Sequence, residues 1–327
     1  MTIIEQAARR LEALRRAGVE VSWAAAEQRS QDVEGEKHLA QVSGQGRPVG
    51  LGQVVVSADS AANGTVNSSL AARSVRPQAM ARSVDLDLDR LSKAGYITPI
   101  AVPELAKLAA EFRIIKRPLM RTVDAARGDP AKRTNLIMVT SSVPGEGKTF
   151  NAINLAMSIA MEVDRTVLLV DADVIRPSIL DRCGLPASKG LMDMLTKPST
   201  ELGDVLLRTN VPKLALLPAG TPHPNATELL ASAAMEGLLE ELANRYSDRI
   251  VVFDAPPLLP SPESRVLAAR VGQVVVVVEQ GRSTREAVTR AFSTLQSCPH
   301  VTSILNKCRG QDQNSLYGEY YGSLLAS

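Results

Sequence analysis

Eight consecutive residues constrain this chain more than any other feature: Ser142-Val143-Pro144-Gly145-Glu146-Gly147-Lys148-Thr149. The Gly147-Lys148-Thr149 end has the spacing of a phosphate-binding P-loop. In such a loop, backbone N–H groups and a helix N-terminus cradle phosphates, the lysine reaches the β- and γ-phosphates, and the threonine hydroxyl ligates Mg²⁺. The loop works only between a strand and a helix. Both are predicted here, with apolar Leu136–Val139 before it and a long helix from about Lys148 after it. Ser142 stands where the strict pattern has Gly. The expected nucleotide-binding set is Ser142, Val143, Pro144, Gly145, Glu146, Gly147, Lys148, Thr149 and Phe150.

Beyond the loop, apolar runs alternate with helical stretches. Strands are predicted at Thr166–Val170, Leu214–Leu217, Ile250–Phe253, Gln273–Val278 and Val301–Leu305, and helices at about Asn225–Arg245 and Ser283–Ser297. Near-continuous apolar strands separated by helices imply an α/β fold: a doubly wound, mostly parallel sheet of the P-loop NTPase type. Two strands end in carboxylates, Val170-Asp171-Ala172-Asp173 and Phe253-Asp254-Ala255-Pro256-Pro257. Ligands of open α/β sheets bind at such strand ends. The expected metal set is Thr149, Asp173 and Asp254, which leaves one carboxylate more than a magnesium site needs. The spare could serve as a general base.

The first quarter of the chain reads differently. Thr2 and Glu5 have capping-box spacing, and Ile3, Ile4, Ala7, Leu11 and Leu14 share one face of an amphipathic helix over residues 1–20. Residues 21–84 shift to Ala, Ser, Gly, Gln and Arg without sustained periodicity, as a disordered linker would. Helical sequence returns at Asp85–Ala94 and Pro103–Met120, inside a domain expected to span 85–327. The 37 basic and 35 acidic residues nearly cancel, and aromatics make up only 3%. Both argue against a nucleic-acid binder. No apolar run approaches the roughly 18 residues of a membrane span, and charges recur from Glu5 to Arg16, unlike a signal peptide. The three cysteines have no metal-like spacing and suit a reducing compartment. The expectation is a soluble, cytoplasmic chain. At its end, three of five tyrosines (Tyr317, Tyr320, Tyr321) cluster among glycines and Glu319, in a segment where burial is unattractive and phosphate acceptance is the sharper reading.

From about Leu108 to Tyr321 the sequence resembles the bacterial tyrosine kinases, most of all the cytoplasmic autokinases of exopolysaccharide loci in the exosortase-associated group. The resemblance identifies residues 144–149 as Walker A, Val170–Asp173 as Walker A′, Phe253–Pro257 as Walker B, and the tyrosine-rich end as the autophosphorylated cluster. It implies ATP and Mg²⁺ as cofactors, Lys148 and Asp171 as catalytic residues with Asp171 the base for the tyrosine hydroxyl, and Asn306 as a contact to the adenine edge. Tyr317, Tyr320 and Tyr321 become the phosphoacceptors, modified in trans within a homo-oligomer. It further implies a separate membrane-spanning polysaccharide co-polymerase that recruits the chain to the inner membrane face, a cognate tyrosine phosphatase, and a role in exopolysaccharide synthesis or export. The family's oligomerisation helix is matched at Phe112-Arg113-Ile114-Ile115-Lys116. Departures are Ala110 at the expected Glu, Ile175 followed by Arg176 at the expected Walker A′ Arg, and Ala255 for Thr or Ser.

Two other readings share the loop. A positioning or partitioning ATPase carries a further lysine five residues before the loop lysine, where this chain has Val143. A non-catalytic ATP-binding regulator would bind nucleotide without producing phosphotyrosine.

Overall fold

The structure, a computed structural model, describes residues 82–126, 129–197, 199–244 and 249–308. The helix expected over 1–20, the linker up to residue 81 and the tyrosines Tyr317, Tyr320 and Tyr321 lie outside the described residues. In chain order the elements are β1 (Arg82–Val84), α1 (Leu88–Lys93), α2 (Ala106–Ala125), β2 (Leu136–Ser141), α3 (Lys148–Ala160), β3 (Thr166–Asp171), α4 (Ile179–Cys183), α5 (Leu191–Thr196) and α6 (Leu202–Val205). There follow β4 (Leu207–Thr209), β5 (Leu214–Leu217), α7 (Ala226–Ala231), α8 (Ala233–Asn244), β6 (Arg249–Asp254), α9 (Pro262–Ala268), β7 (Gln273–Glu279), α10 (Arg285–Ser293) and β8 (His300–Asn306).

The strands form one sheet in the order β1-β4-β5-β3-β6-β2-β7-β8. Every pairing is parallel except β4 with β5. Six of the strands therefore point their C-terminal ends at one pole, while β1 and β4 run the other way. All six residues of β2 are buried, the signature of an interior parallel strand covered on both faces. Alternation along it feeds two cores: Leu136 and Met138 pack on one face with Phe253 and Leu239, and Ile137 and Val139 on the other with Ile153 and Phe112. The expected α/β, mostly parallel, doubly wound architecture is what the sheet shows.

Local readings needed correction. Residues 82–84, assigned to the linker, form edge strand β1 and pair with β4. The helix expected over 225–245 is two helices, because Ser232 takes an extended backbone between α7 and α8. The helix expected from Pro103 begins with a single 3₁₀ turn, becomes α2 at Ala106, and continues through Pro118 to Ala125. Pro118 is exposed. The buried stripe Phe112, Lys116, Leu119 and Val123 holds α2 against α3 and outweighs the one backbone bond a proline removes.

Candidate nucleotide and metal site

The loop after β2 turns twice through backbone that only glycine adopts without strain, Gly145 at φ 88° and Gly147 at φ 102°. A side chain at Gly147 would also collide with the Asn306 amide. Gly147 is the N-cap of α3, so the free N–H groups of the first helical turn face the loop. The loop is held shut from inside by Glu146, whose side chain is fully buried. One carboxylate oxygen accepts from the Val143 N–H at 2.9 Å and the other from the Ser283 hydroxyl. Asn306 Nδ2 donates to the Glu146 carbonyl at 2.8 Å, and Lys307 Nζ to the Gly145 carbonyl at 2.9 Å. The ends of β7 and β8 thus latch the loop.

Three aspartates gather at the pole where the parallel strands end, and Lys148 contacts two of them. Asp171 and Asp254 are register partners on β3 and β6. Lys148 Nζ lies 2.6 Å from Asp173 Oδ2, 3.8 Å from Asp254 Oδ1 and 3.5 Å from Thr149 Oγ1. Burial pushes the Asp254 carboxyl up to about 6, against the opposing pull of Lys148 and Thr149. Burial, reinforced by the charge of Asp254, pushes Asp171 up to about 7, although the Ile179 and Ser178 N–H groups both donate to its Oδ2 at 3.0 Å and pull the other way. Asp171 Oδ1 and both oxygens of Asp254 have no partner at hydrogen-bond distance and angle, although Lys148 Nζ and the Thr149 hydroxyl stand near enough to Asp254 to pull on its carboxyl.

Such orphaned carboxylate oxygens cost free energy unless something cationic binds them. The donor set fits a hard divalent cation, which takes oxygen ligands and keeps open positions for phosphate. Among the described residues no three His, Cys, Asp or Glu side chains form a complete metal cage. The Thr149 hydroxyl, 5% exposed and within 3.3 Å of Ser178 Oγ, completes the oxygen set beside Asp173 and Asp254.

All loop residues, Lys148, Thr149, Asp171, Asp173, Asp254 and Asn306 converge at this pole. Phe150 turns its ring away into an aromatic pair with Tyr96, with centroids 5.4 Å apart. The Arg176 side chain is exposed while its N–H donates to Asp173 Oδ1 at 3.1 Å. Lys116, matched to the oligomerisation helix, is buried. It donates to the Ser158 carbonyl at 2.7 Å and pairs with Glu162 at 2.5 Å. Sequence reasoning missed Ser283 and Lys307 as loop supports and Tyr96 as the partner of Phe150. The only signal was positional: Ser283 follows the β7 strand end and Lys307 follows that of β8.

Residues 134–304 match a family model described as an AAA domain. The chain is similar to Tyrosine-protein kinase YwqD of Bacillus subtilis (strain 168), 33% identical over 57% of this chain and 77% of that one. It is also similar to Tyrosine-protein kinase CpsD of Streptococcus agalactiae, 31% identical over 58% of this chain and 81% of that one. In fold it resembles the kinase domain of the Escherichia coli tyrosine kinase ETK, with a TM-score of 0.54, 23% identity, and coverage of 71% of this chain and 92% of that domain. Among the described residues, no helix is long and apolar enough to cross a membrane.

Proposed function

Because the chain belongs to the bacterial tyrosine-protein kinases and carries an AAA domain, we propose that it is an ATP-dependent autokinase that phosphorylates Tyr317, Tyr320 and Tyr321 of a neighbouring copy. The observation that carries this reading is the meeting of Lys148 with Asp173 and Asp254, next to Asp171, the register partner of Asp254, at the mouth of a latched phosphate loop.

Phosphoryl transfer asks a protein mainly to position groups and to neutralise charge. The loop N–H groups at the start of α3 would bind the phosphates of ATP, and Lys148 would exchange its contact with Asp173 for the β- and γ-phosphate oxygens. Asp173, Asp254 and Thr149 would hold Mg²⁺. When bound, the ion would supply positive charge that offsets the negative charge of the phosphates. Asp171 would accept the proton of the incoming tyrosine hydroxyl. Its affinity for protons near neutral pH suits a group that must take one up during transfer. Arg176, whose N–H donates to Asp173 Oδ1 and whose side chain is exposed, would be a further cation for the transferring group.

The setting proposed for this activity is exopolysaccharide synthesis or export. A separate membrane-spanning co-polymerase would hold the chain at the inner membrane face, and a cognate phosphatase would reverse the modification. Incubation of the purified chain with Mg²⁺ and ATP, followed by mass spectrometry, tests the reading. Phosphate on Tyr317, Tyr320 or Tyr321 is expected, and nucleotide turnover without phosphotyrosine would overturn it.

A further inference from the structure

At the pole opposite the phosphate loop, α2 and the end of α3 border a groove of about 630 Å³. Helix α3 begins at the loop and runs 13 residues, so about 20 Å separates the groove from the nucleotide site. Five basic side chains line it (Arg113, Lys116, Arg117, Arg121, Arg165) against two acidic ones (Asp124, Glu162). Both acids are already engaged, Asp124 by Arg165 and Glu162 by Lys116. Arg113, Arg117 and Arg121 recur every four residues, are exposed, and take part in no ion pair among the described residues.

Arg165 supplies the second, independent observation. It is 9% exposed, lines the groove, and its Nη1 has no hydrogen-bond partner. A buried guanidinium nitrogen left unpaired is costly, and the natural remedy is an oxyanion, since guanidinium pairs phosphate oxygens in a matched, bidentate geometry. Beside it Met161 is 43% exposed, an apolar wall at the rim.

We propose that this groove binds phosphotyrosine, and that its occupant is this chain's own phosphorylated tail. The proposal rests on the kinase reading for the origin of that phosphate. Recess favours a tyrosine phosphate over a membrane surface, because the aromatic ring carries the phosphate outward to meet a buried arginine, whereas a headgroup layer meets only the rim. Charge is complementary as well. The segment from Leu316 to Gly322 holds Glu319 and no basic residue, and each phosphate adds about −1.5 to −2. From Cys308, where the described chain ends, the 19 remaining residues extend to at most about 65 Å, ample to reach the far pole of the same or a neighbouring molecule. Phosphorylation would then move the tail from the nucleotide pole to the groove.

The test uses the full-length Lys148→Met chain and a synthetic, fluorescently labelled peptide of residues 312–324, with its three tyrosines phosphorylated or not. Because the peptide brings its own phosphate, binding is measured whether or not the chain is a kinase. Anisotropy should show the phosphorylated peptide binding at least about tenfold tighter than the unphosphorylated one. That advantage should be lost in Arg117→Glu/Arg121→Glu, whose side chains are exposed and unpaired, and in Arg165→Gln. Vesicles rich in phosphatidylglycerol should sediment the wild type and the double variant to the same small extent. Equal affinity for both peptides, an advantage that survives in the double variant, or arginine-dependent binding to vesicles but not to the phosphopeptide would overturn the proposal.

Discussion

Lys148 touches carboxylates that are themselves under strain of burial, so its removal acts on two levels. Lys148→Met should lower autophosphorylation by at least about a hundredfold, as loss of a preorganised charge in a dry site does. The circular dichroism spectrum should stay unchanged, because the side chain sits on the loop pole and packs into neither core. Phosphotyrosine at the wild-type level in that variant would remove the loop from the mechanism. A second residue-scale prediction concerns protons. Asp171 and Asp254 both hold protons far more tightly in the folded chain than at the ordinary 3.8. Their contribution to stability is therefore complete below about pH 4 and is lost as pH rises through about 6 and 7. In chelator, the wild-type melting temperature should fall between pH 5 and 8. Asp254→Asn should fall less, melt higher at pH 8, and show a smaller gain on adding Mg²⁺. Asp193 and Glu236, whose carboxyls are held below their usual range, are already ionised in that window and do not alter the sign. A variant profile parallel to the wild type would show that Asp254 carries no such burden.

At the scale of elements, the latch on the phosphate loop joins pieces distant in the chain: Ser283 lies 137 residues from Glu146 and Asn306 lies 160. Ser283→Ala leaves one oxygen of a fully buried carboxylate short of its donor, a loss of about 1–3 kcal/mol. Part of this should appear as a looser loop, with a several-fold rise in the KM for ATP and little change in kcat. An unchanged KM would make the contact merely structural. The same contacts show what could and could not be read in advance. The strands Leu136–Val139 and Leu214–Leu217, and the aspartates ending their neighbours, are local patterns of apolar run and terminator, so they were legible. Strands β1 and β4 were not, because three residues as polar as Arg82-Ser83-Val84 become a strand only when a partner lies alongside. Ser232 interrupts a helical period without a proline or glycine to announce it. The Glu146 latch and the unpartnered Nη1 of Arg165 depend on distant neighbours, about which a window of sequence carries no information.

For the whole molecule, Tyr317 lies eleven positions after Asn306, at most about 40 Å of extended chain. Length alone therefore permits both a self-directed and a neighbour-directed tail, and a mixing experiment separates them. A Lys148→Met chain with an intact tail should become phosphorylated by a donor lacking residues 316–327, at a rate that rises with donor concentration. No label in the mixture, with normal label in the wild type alone, would make the reaction intramolecular.

Strand β1 has a consequence at this scale. It runs against the main strands, so the chain enters at Arg82 on the phosphate-loop side, and β8 delivers Asn306 to that same side from the other edge. Seven strand intervals, about 33 Å, lie between the two points. Arg82 and Asn306 thus lie on one rim of the domain, like two handles on a single side of a vessel. The described chain therefore enters and ends beside the phosphate loop, while the groove between α2 and the end of α3 opens at the other end of the sheet.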